Sequence, residues 1–105
     1  MPEPIRTRVR LRCMIQKPGF GQPRFQAATE ELARDSATVL VDAAAAPDWF
    51  RPGTPVVAGI ELPAHEGRAP RILECSARVR MIRREGALLR ASLEMLSMAF
   101  TGGMP

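Results

Sequence analysis

The sequence predicts an all-β domain, a small six-stranded antiparallel β-barrel. Three observations carry that expectation. Apolar and polar residues alternate with period two in several segments, Pro and Gly punctuate the chain between them, and no connection is long enough to cross over to a parallel strand. Strands joined by short turns pair with their neighbours, and about six of them in one domain close on themselves to hide their edges.

Pro2 and Pro4 make residues 1–6 a basic arm rather than the start of a regular element. Residues 7–15 give the cleanest strand pattern, with Val9, Leu11, Cys13 and Ile15 inward and Arg8, Arg10 and Arg12 facing solvent. Pro18, Gly19, Gly21 and Pro23 make residues 16–23 a loop. Residues 25–33 are ambiguous: Ala27, Ala28, Glu30, Glu31, Leu32 and Ala33 favour helix, yet the segment is short and lies between strands.

Residues 36–42 read as a strand, followed by a small-residue connection, the pair Trp49-Phe50 and the turn Arg51-Pro52-Gly53. Residues 54–62 form the next strand, with Val56, Ala58, Ile60 and Leu62 on one face. Residues 63–70 read as an exposed hairpin loop. In residues 71–83, Leu73, Cys75, Ala77, Val79 and Met81 share a face opposite Arg78 and Arg80, and Arg84-Glu85-Gly86 is a turn. Residues 87–96 fit two templates. A strand would bury Leu89, Ala91, Leu93 and Met95; a helix would align Leu89, Leu93, Leu96 and Phe100. Local propensity favours helix by a small margin, whereas the hairpin after Gly86 favours strand. Residues 101–105 form a frayed tail. The expected interior includes Val9, Leu11, Val39, Ile60, Val79 and Leu93.

A chain of 105 residues fits one domain, spanning 1–105, and 46% hydrophobic residues suffice for a modest core. No stretch approaches the ~18 apolar residues of a membrane span. The N-terminus lacks the apolar run of a secretory signal, so a cytoplasmic location without membrane insertion is expected. Cys13 and Cys75 lie far apart without a C-x-x-C pattern, which suits two reduced, buried thiols. The net charge is +4, and every basic residue except Lys17 is Arg. Arg presents a planar fork that grips phosphate or carboxylate through two parallel hydrogen bonds. An anionic partner therefore suits the surface.

Catalytic machinery is not expected. His65 is the only His and sits beside Glu66 in a Pro/Gly loop, and no Ser lies in a Gly-x-Ser-x-Gly setting. Gly19-Phe20-Gly21 lacks the further Gly and helix start of a phosphate-cradling loop. One His and two distant Cys do not make a tetrahedral zinc site, so neither metal nor cofactor is expected. What remains is the row Arg6, Arg8, Arg10 and Arg12, whose side chains share one face within about 20 Å. Such a row attracts phosphates. No aromatic precedes Phe20, and none falls in the first or the last three predicted strands, which disfavours sequence-specific reading of DNA or RNA.

The order of these pieces resembles the PilZ domain, a six-stranded barrel that in many members binds the second messenger cyclic di-GMP. The resemblance covers nearly the whole chain. It rests on the Arg-rich arm entering the first strand, the stretch Leu32-Ala33-Arg34-Asp35-Ser36-Ala37, the turn Arg51-Pro52-Gly53-Thr54-Pro55-Val56, and the strand ending Ile60-Glu61-Leu62-Pro63. Cys75-Ser76-Ala77-Arg78-Val79-Arg80 and Ala91-Ser92-Leu93-Glu94 resemble the family's last hairpin. The resemblance implies that Arg6, Arg8 and Arg10 would hold the phosphates and guanine of cyclic di-GMP. The family's Arg-x-x-x-Arg spacing is met by Arg6 with Arg10 and by Arg8 with Arg12; the register nearest the first strand uses Arg8 and puts Pro4 at its partner position.

A second family motif, Asp/Asn-x-Ser-x-x-Gly, corresponds to residues 31–36, where Glu31, Ala33 and Ser36 occupy its three defining positions. Ala33 lacks the hydroxyl, Glu31 is longer than Asp, and Ser36 lacks the backbone freedom of Gly. The resemblance thus implies a signalling or adaptor domain with dinucleotide binding weak or lost, working through a protein partner or a second copy. The alternatives are a working cyclic di-GMP receptor built on Arg6, Arg8 and Arg10, and a basic barrel that binds nucleic acid without sequence preference. Many family members add a helix after the last strand; the nine residues after Leu96 allow at most one turn, which would leave part of the barrel uncovered.

Overall fold

The computed structural model describes residues 6–64, 67 and 69–101, and every helix or strand among them is a β-strand. The strands are β1 (Arg6–Arg8), β2 (Arg12–Gln16), β3 (Arg24–Ala33), β4 (Ser36–Asp42), β5 (Pro55–Leu62), β6 (Arg71–Glu85) and β7 (Leu88–Thr101). All pairings are antiparallel, in the order β1-β3-β2-β5-β6-β7-β4, and β4 returns to β3 to close the sheet. Because β1 and β2 lie end to end along the same side of β3, the closed barrel has six staves.

The predicted first strand is therefore interrupted. Residues 9–11 leave regular pairing, and the hydroxyl of Thr29 fills the gap. Thr29 Oγ1 donates to the Val9 carbonyl at 2.6 Å and accepts from the Leu11 N–H at 2.8 Å, while Thr29 N–H donates to the Leu11 carbonyl at 2.9 Å. Thr29 is fully buried, so this bridge satisfies polar groups that would otherwise lie unpaired in the wall. Val9 and Leu11 are half-buried, whereas Cys13 and Ile15 are fully buried as expected.

Alternation builds the interior. Ile15, Val39, Val41, Val56, Ile60, Val79 and Leu93 are buried, together with Cys13 and Cys75. One end is closed by the β4–β5 connection, which lays Trp49 and Phe50 edge-on against Phe25, with ring centroids 5.5 and 5.1 Å away. The Thr54 hydroxyl holds that connection by donating to the Trp49 carbonyl at 2.9 Å.

Two segments with helical propensity are strand, apart from Ala87 in the turn before β7. Residues 25–33 lie within β3, where Phe25, Ala27 and Thr29 face inward. Residues 87–96 do not form a helix, because β7 pairs with β4 on one side and β6 on the other. The β7 strand runs on to Thr101, so residues 97–100 extend a sheet where one helical turn was the most expected, and the tail does not begin at 101. Residues 102–105 lie outside the described residues, as do residues 1–5 of the arm and His65 and Glu66; Arg6, assigned to the arm, belongs to β1.

Met81 is a further correction. It was expected inward but is 59% exposed. Val79 pairs with Leu93 and Met81 with Ser92, so Arg80 is an extra residue in β6. Such a bulge reverses the alternation beyond it, turning Met81 out and packing Ile82 against the core.

Candidate phosphate-facing arm and its surroundings

The residues proposed for phosphate binding start on an edge. Arg6 and Arg8 belong to β1, with Arg6 paired to Ala33 and Arg8 to Glu31. Arg6, Arg8, Arg10 and Arg12 are all exposed. The fold sets carboxylates beside two of them. Arg6 Nη1 lies 3.5 Å from Glu31 Oε1, and Arg12 Nε lies 3.9 Å from Glu61 Oε2. Among the described residues, Arg8 and Arg10 have no carboxylate in ion-pair range.

Next to the arm, Arg90 of β7 joins Glu30 of β3 and Glu85 of β6; its Nε donates to Glu85 Oε2 at 2.9 Å. Glu30 sits in an irregular step, where β3 shifts register against β4 between Thr29 and Glu31. Two carboxylates from β3 thus flank the Arg row, one engaged by Arg6 and the other by Arg90. Motif residue Ser36 is in β4, paired to Glu94 of β7. No residue other than Gly has a positive φ among those described, so Ser36 holds ordinary strand geometry rather than one reserved for Gly.

Arg10, Leu11 and Arg12, with Glu61, line a shallow groove of about 300 Å³ that ends at Leu62 and Pro63. A larger groove, about 450 Å³, lies over the outer face of β2, β5 and β6. Its floor is Gly59 with Met14 and Val57, but Glu61 and Glu74 face into it, so a phosphate there would meet two carboxylates. The arm groove shares Glu61 but sets two arginines against it, whereas the larger groove sets Arg24 against two carboxylates, so the arm is the better anion site.

The cysteines contribute nothing to this surface. Cys13 and Cys75 are free, fully buried, and separated by β5. Cys13 lies opposite Ile60 and Cys75 opposite Ala58. With strands ~4.8 Å apart and ~3.3 Å rise per residue, their Cα atoms stand roughly 11–12 Å from each other, beyond the ~7 Å reach of a disulfide. Burial, with the neighbouring Cys75 adding to it, pushes the Cys13 thiol up to about 12; burial and then Glu74 push Cys75 up to about 11. Both are neutral thiols at physiological pH. Among the described residues no group of three His, Cys, Asp or Glu is placed to hold a metal ion, and no helix is long and apolar enough to cross a membrane.

Sequence reasoning located the Arg row by its spacing. It missed Glu61 and the Arg90–Glu30–Glu85 cluster, whose members are up to 60 residues apart in the chain. Glu31 stood out in sequence as a motif position, but only the pairing of β1 with β3 places it against Arg6.

No family model matches the chain, and no curated protein sequence does. Among solved structures, the chain is similar to the Bacillus subtilis inhibitor of motility (MotI/DgrA), with a TM-score of 0.74 and 21% identity. The match covers 94% of this chain and 44% of that one, so the chain spans less than half the length of this neighbour. At that identity the likeness is one of fold: the all-β chain closes into a six-stranded antiparallel barrel, with the short β1 as an added strand, and shares its architecture with this motility inhibitor.

Proposed function

We propose that this chain is a cytoplasmic PilZ-like signalling or adaptor domain that works by protein–protein contact, without catalysis, and in which cyclic di-GMP binding is weak or lost. One observation supports the reading: residues 6–8 are zipped onto β3 as β1, and Arg6 already engages Glu31. A phosphate approaching Arg6 must displace that carboxylate or bind beside it, and like charge disfavours both. The departures at Ala33 and Ser36 act in the same direction. A guanine edge deprived of a hydroxyl partner loses about 1–3 kcal/mol for each buried group left unpaired. The fold shared with an inhibitor of motility makes a component of a motility apparatus the first class of protein partner to test.

Titration calorimetry with cyclic di-GMP tests the reading. The wild-type chain is expected to give no saturable heat at tens of micromolar ligand. The triple variant Glu31→Asp/Ala33→Ser/Ser36→Gly, which restores the second motif, is expected to bind measurably more tightly. Saturable low-micromolar binding by the wild type, abolished by Arg8→Ala/Arg10→Ala, would replace the adaptor reading with a working receptor that uses the two arm arginines with no carboxylate beside them among the described residues.

A further inference from the structure

The β6–β7 hairpin outruns the barrel. The β4 strand covers β7 only from Leu88 to Glu94, and a last backbone bond, from Met95 N–H to the Asp35 carbonyl, ends that side. From Leu96 to Thr101, β7 pairs with β6 alone among the described residues. Among the described residues its other edge has no partner strand and presents open N–H and C=O groups. Edge strands are ordinarily guarded by Lys, Pro or an inward charge. Residues 97–101, Ser-Met-Ala-Phe-Thr, contain none of these. The strand also carries exposed apolar side chains: Leu96 is 54% exposed, Met98 48% and Phe100 61%.

The pairing with β6 defines the faces of this edge. Leu96 is an extra residue, since Ser97 pairs with Ser76 and Met95 with Ala77. Beyond it, Met98 pairs with Cys75 and Phe100 with Leu73, so both lie on the face that continues the barrel interior; Ser97 and Ala99 lie on the other. The Arg71 guanidinium stacks over the Phe100 ring at 5.0 Å and covers part of it.

We propose that this edge pairs with the same edge of a second copy, antiparallel, about a two-fold axis through Ala99. In that register Ala99 meets the partner's Ala99, Met98 meets the partner's Phe100, and Ser97 meets the partner's Thr101. The segment is self-complementary: two Met–Phe pairs fall on the apolar face, and uncharged small or polar residues oppose one another on the other. Isologous contacts require this property, because each residue must suit its own symmetry mate's neighbour. With no charge in the segment, no like-charge contact opposes the pairing. Five residues of edge fall short of the roughly 1,200 Å² buried by stable interfaces, so the dimer is of the weak, concentration-dependent class.

Site-specific crosslinking of the full chain tests the register. Residues directly opposite in antiparallel strands have Cα atoms about 4.5–5.5 Å apart, within the disulfide range. With oxidised glutathione, Ala99→Cys is expected to form a covalent dimer, whereas Ser97→Cys, displaced from its own symmetry mate by four residues along the strand, stays monomeric. The native Cys13 and Cys75 are buried and do not compete. Sedimentation at hundreds of micromolar is expected to raise the mass of the wild type from 11.5 kDa towards twice that value. The Ala99→Lys variant is expected to remain at the monomer mass. That variant suits the folded hairpin, where position 99 faces Glu74, but it sets two ammonium groups against each other on the axis. A wild type that is monomeric at these concentrations, or equal crosslinking of the two Cys variants, would overturn the proposal.

Discussion

Thr29 shows how one side chain can define a strand. Its hydroxyl accepts from Leu11 N–H and donates to the Val9 carbonyl, and it is fully buried. Replacing it by Val keeps the shape and leaves a buried N–H and C=O without partners. The expected loss is about 1–3 kcal/mol in urea unfolding. Thr38→Val, on the half-buried outer face of β4, is expected to stay within about 0.5 kcal/mol. Equal effects would mean that the bridge is dispensable. Nothing local announced this role. Thr29 lies in a segment with helical propensity, and its partners are 18 and 20 residues away in the chain. The same holds for Glu31, whose place beside Arg6 depends on the register of β1 across the gap at residues 9–11. Val39, Ile60, Val79 and Leu93 were legible because each lies in a stretch of period-two alternation before any bulge, and such a stretch needs no long-range information.

At the scale of elements, two bulges account for what alternation alone got wrong. Arg80 inverts the β6 pattern, so Met81 faces solvent and Ile82 the core; Leu96 does the same in β7. The consequence is testable in one pair of variants. Met81→Lys is expected to change stability by no more than about 0.5 kcal/mol, as at ordinary surface positions. Ile82→Lys places an ammonium against the core and is expected to cost more than about 1 kcal/mol. The reverse order in thermal or urea unfolding would place the bulge elsewhere. A bulge adds one residue without a compositional mark, so Arg80 reads in sequence like the other outward arginines. The helical propensity of residues 87–96 was real but small. It is outweighed by the two ladders that β7 forms with β4 and β6. The turn was more readable: Glu85 pairs with Leu88 across a two-residue loop in which Gly86 has φ 64°, matching a type II′ hairpin.

For the whole molecule, charge and topology decide what the Arg row can do. A net charge of +4 and an exposed Arg6, Arg8, Arg10 and Arg12 ensure some phosphate affinity at low salt. That affinity falls by about one power of salt concentration for each phosphate contacted. Single-stranded DNA or RNA bound near ~20 mM salt is expected to be released by ~150 mM, with no sequence preference, because no aromatic platform lies along the arm. Phe100 and Phe25 do lie in strands, but Phe100 is stacked under Arg71 and Phe25 is packed in the barrel's end with Trp49 and Phe50. Micromolar binding at ~150 mM salt with a preferred sequence, seen in a polarisation titration, would make nucleic acid the partner.

The central claim is the proposed one: carboxylates set beside Arg6 and Arg12 leave this six-stranded barrel with weak or no affinity for cyclic di-GMP. Melting temperature in the presence of cyclic di-GMP tests it most directly. A ligand held by the folded state at a hundredfold excess over its dissociation constant adds about 2.7 kcal/mol, and for a domain near this size each kcal/mol raises Tm by roughly 4–8 °C. The expected result at tens of micromolar cyclic di-GMP is an unchanged Tm. A rise of several degrees that disappears in Arg6→Ala/Arg10→Ala would contradict the account.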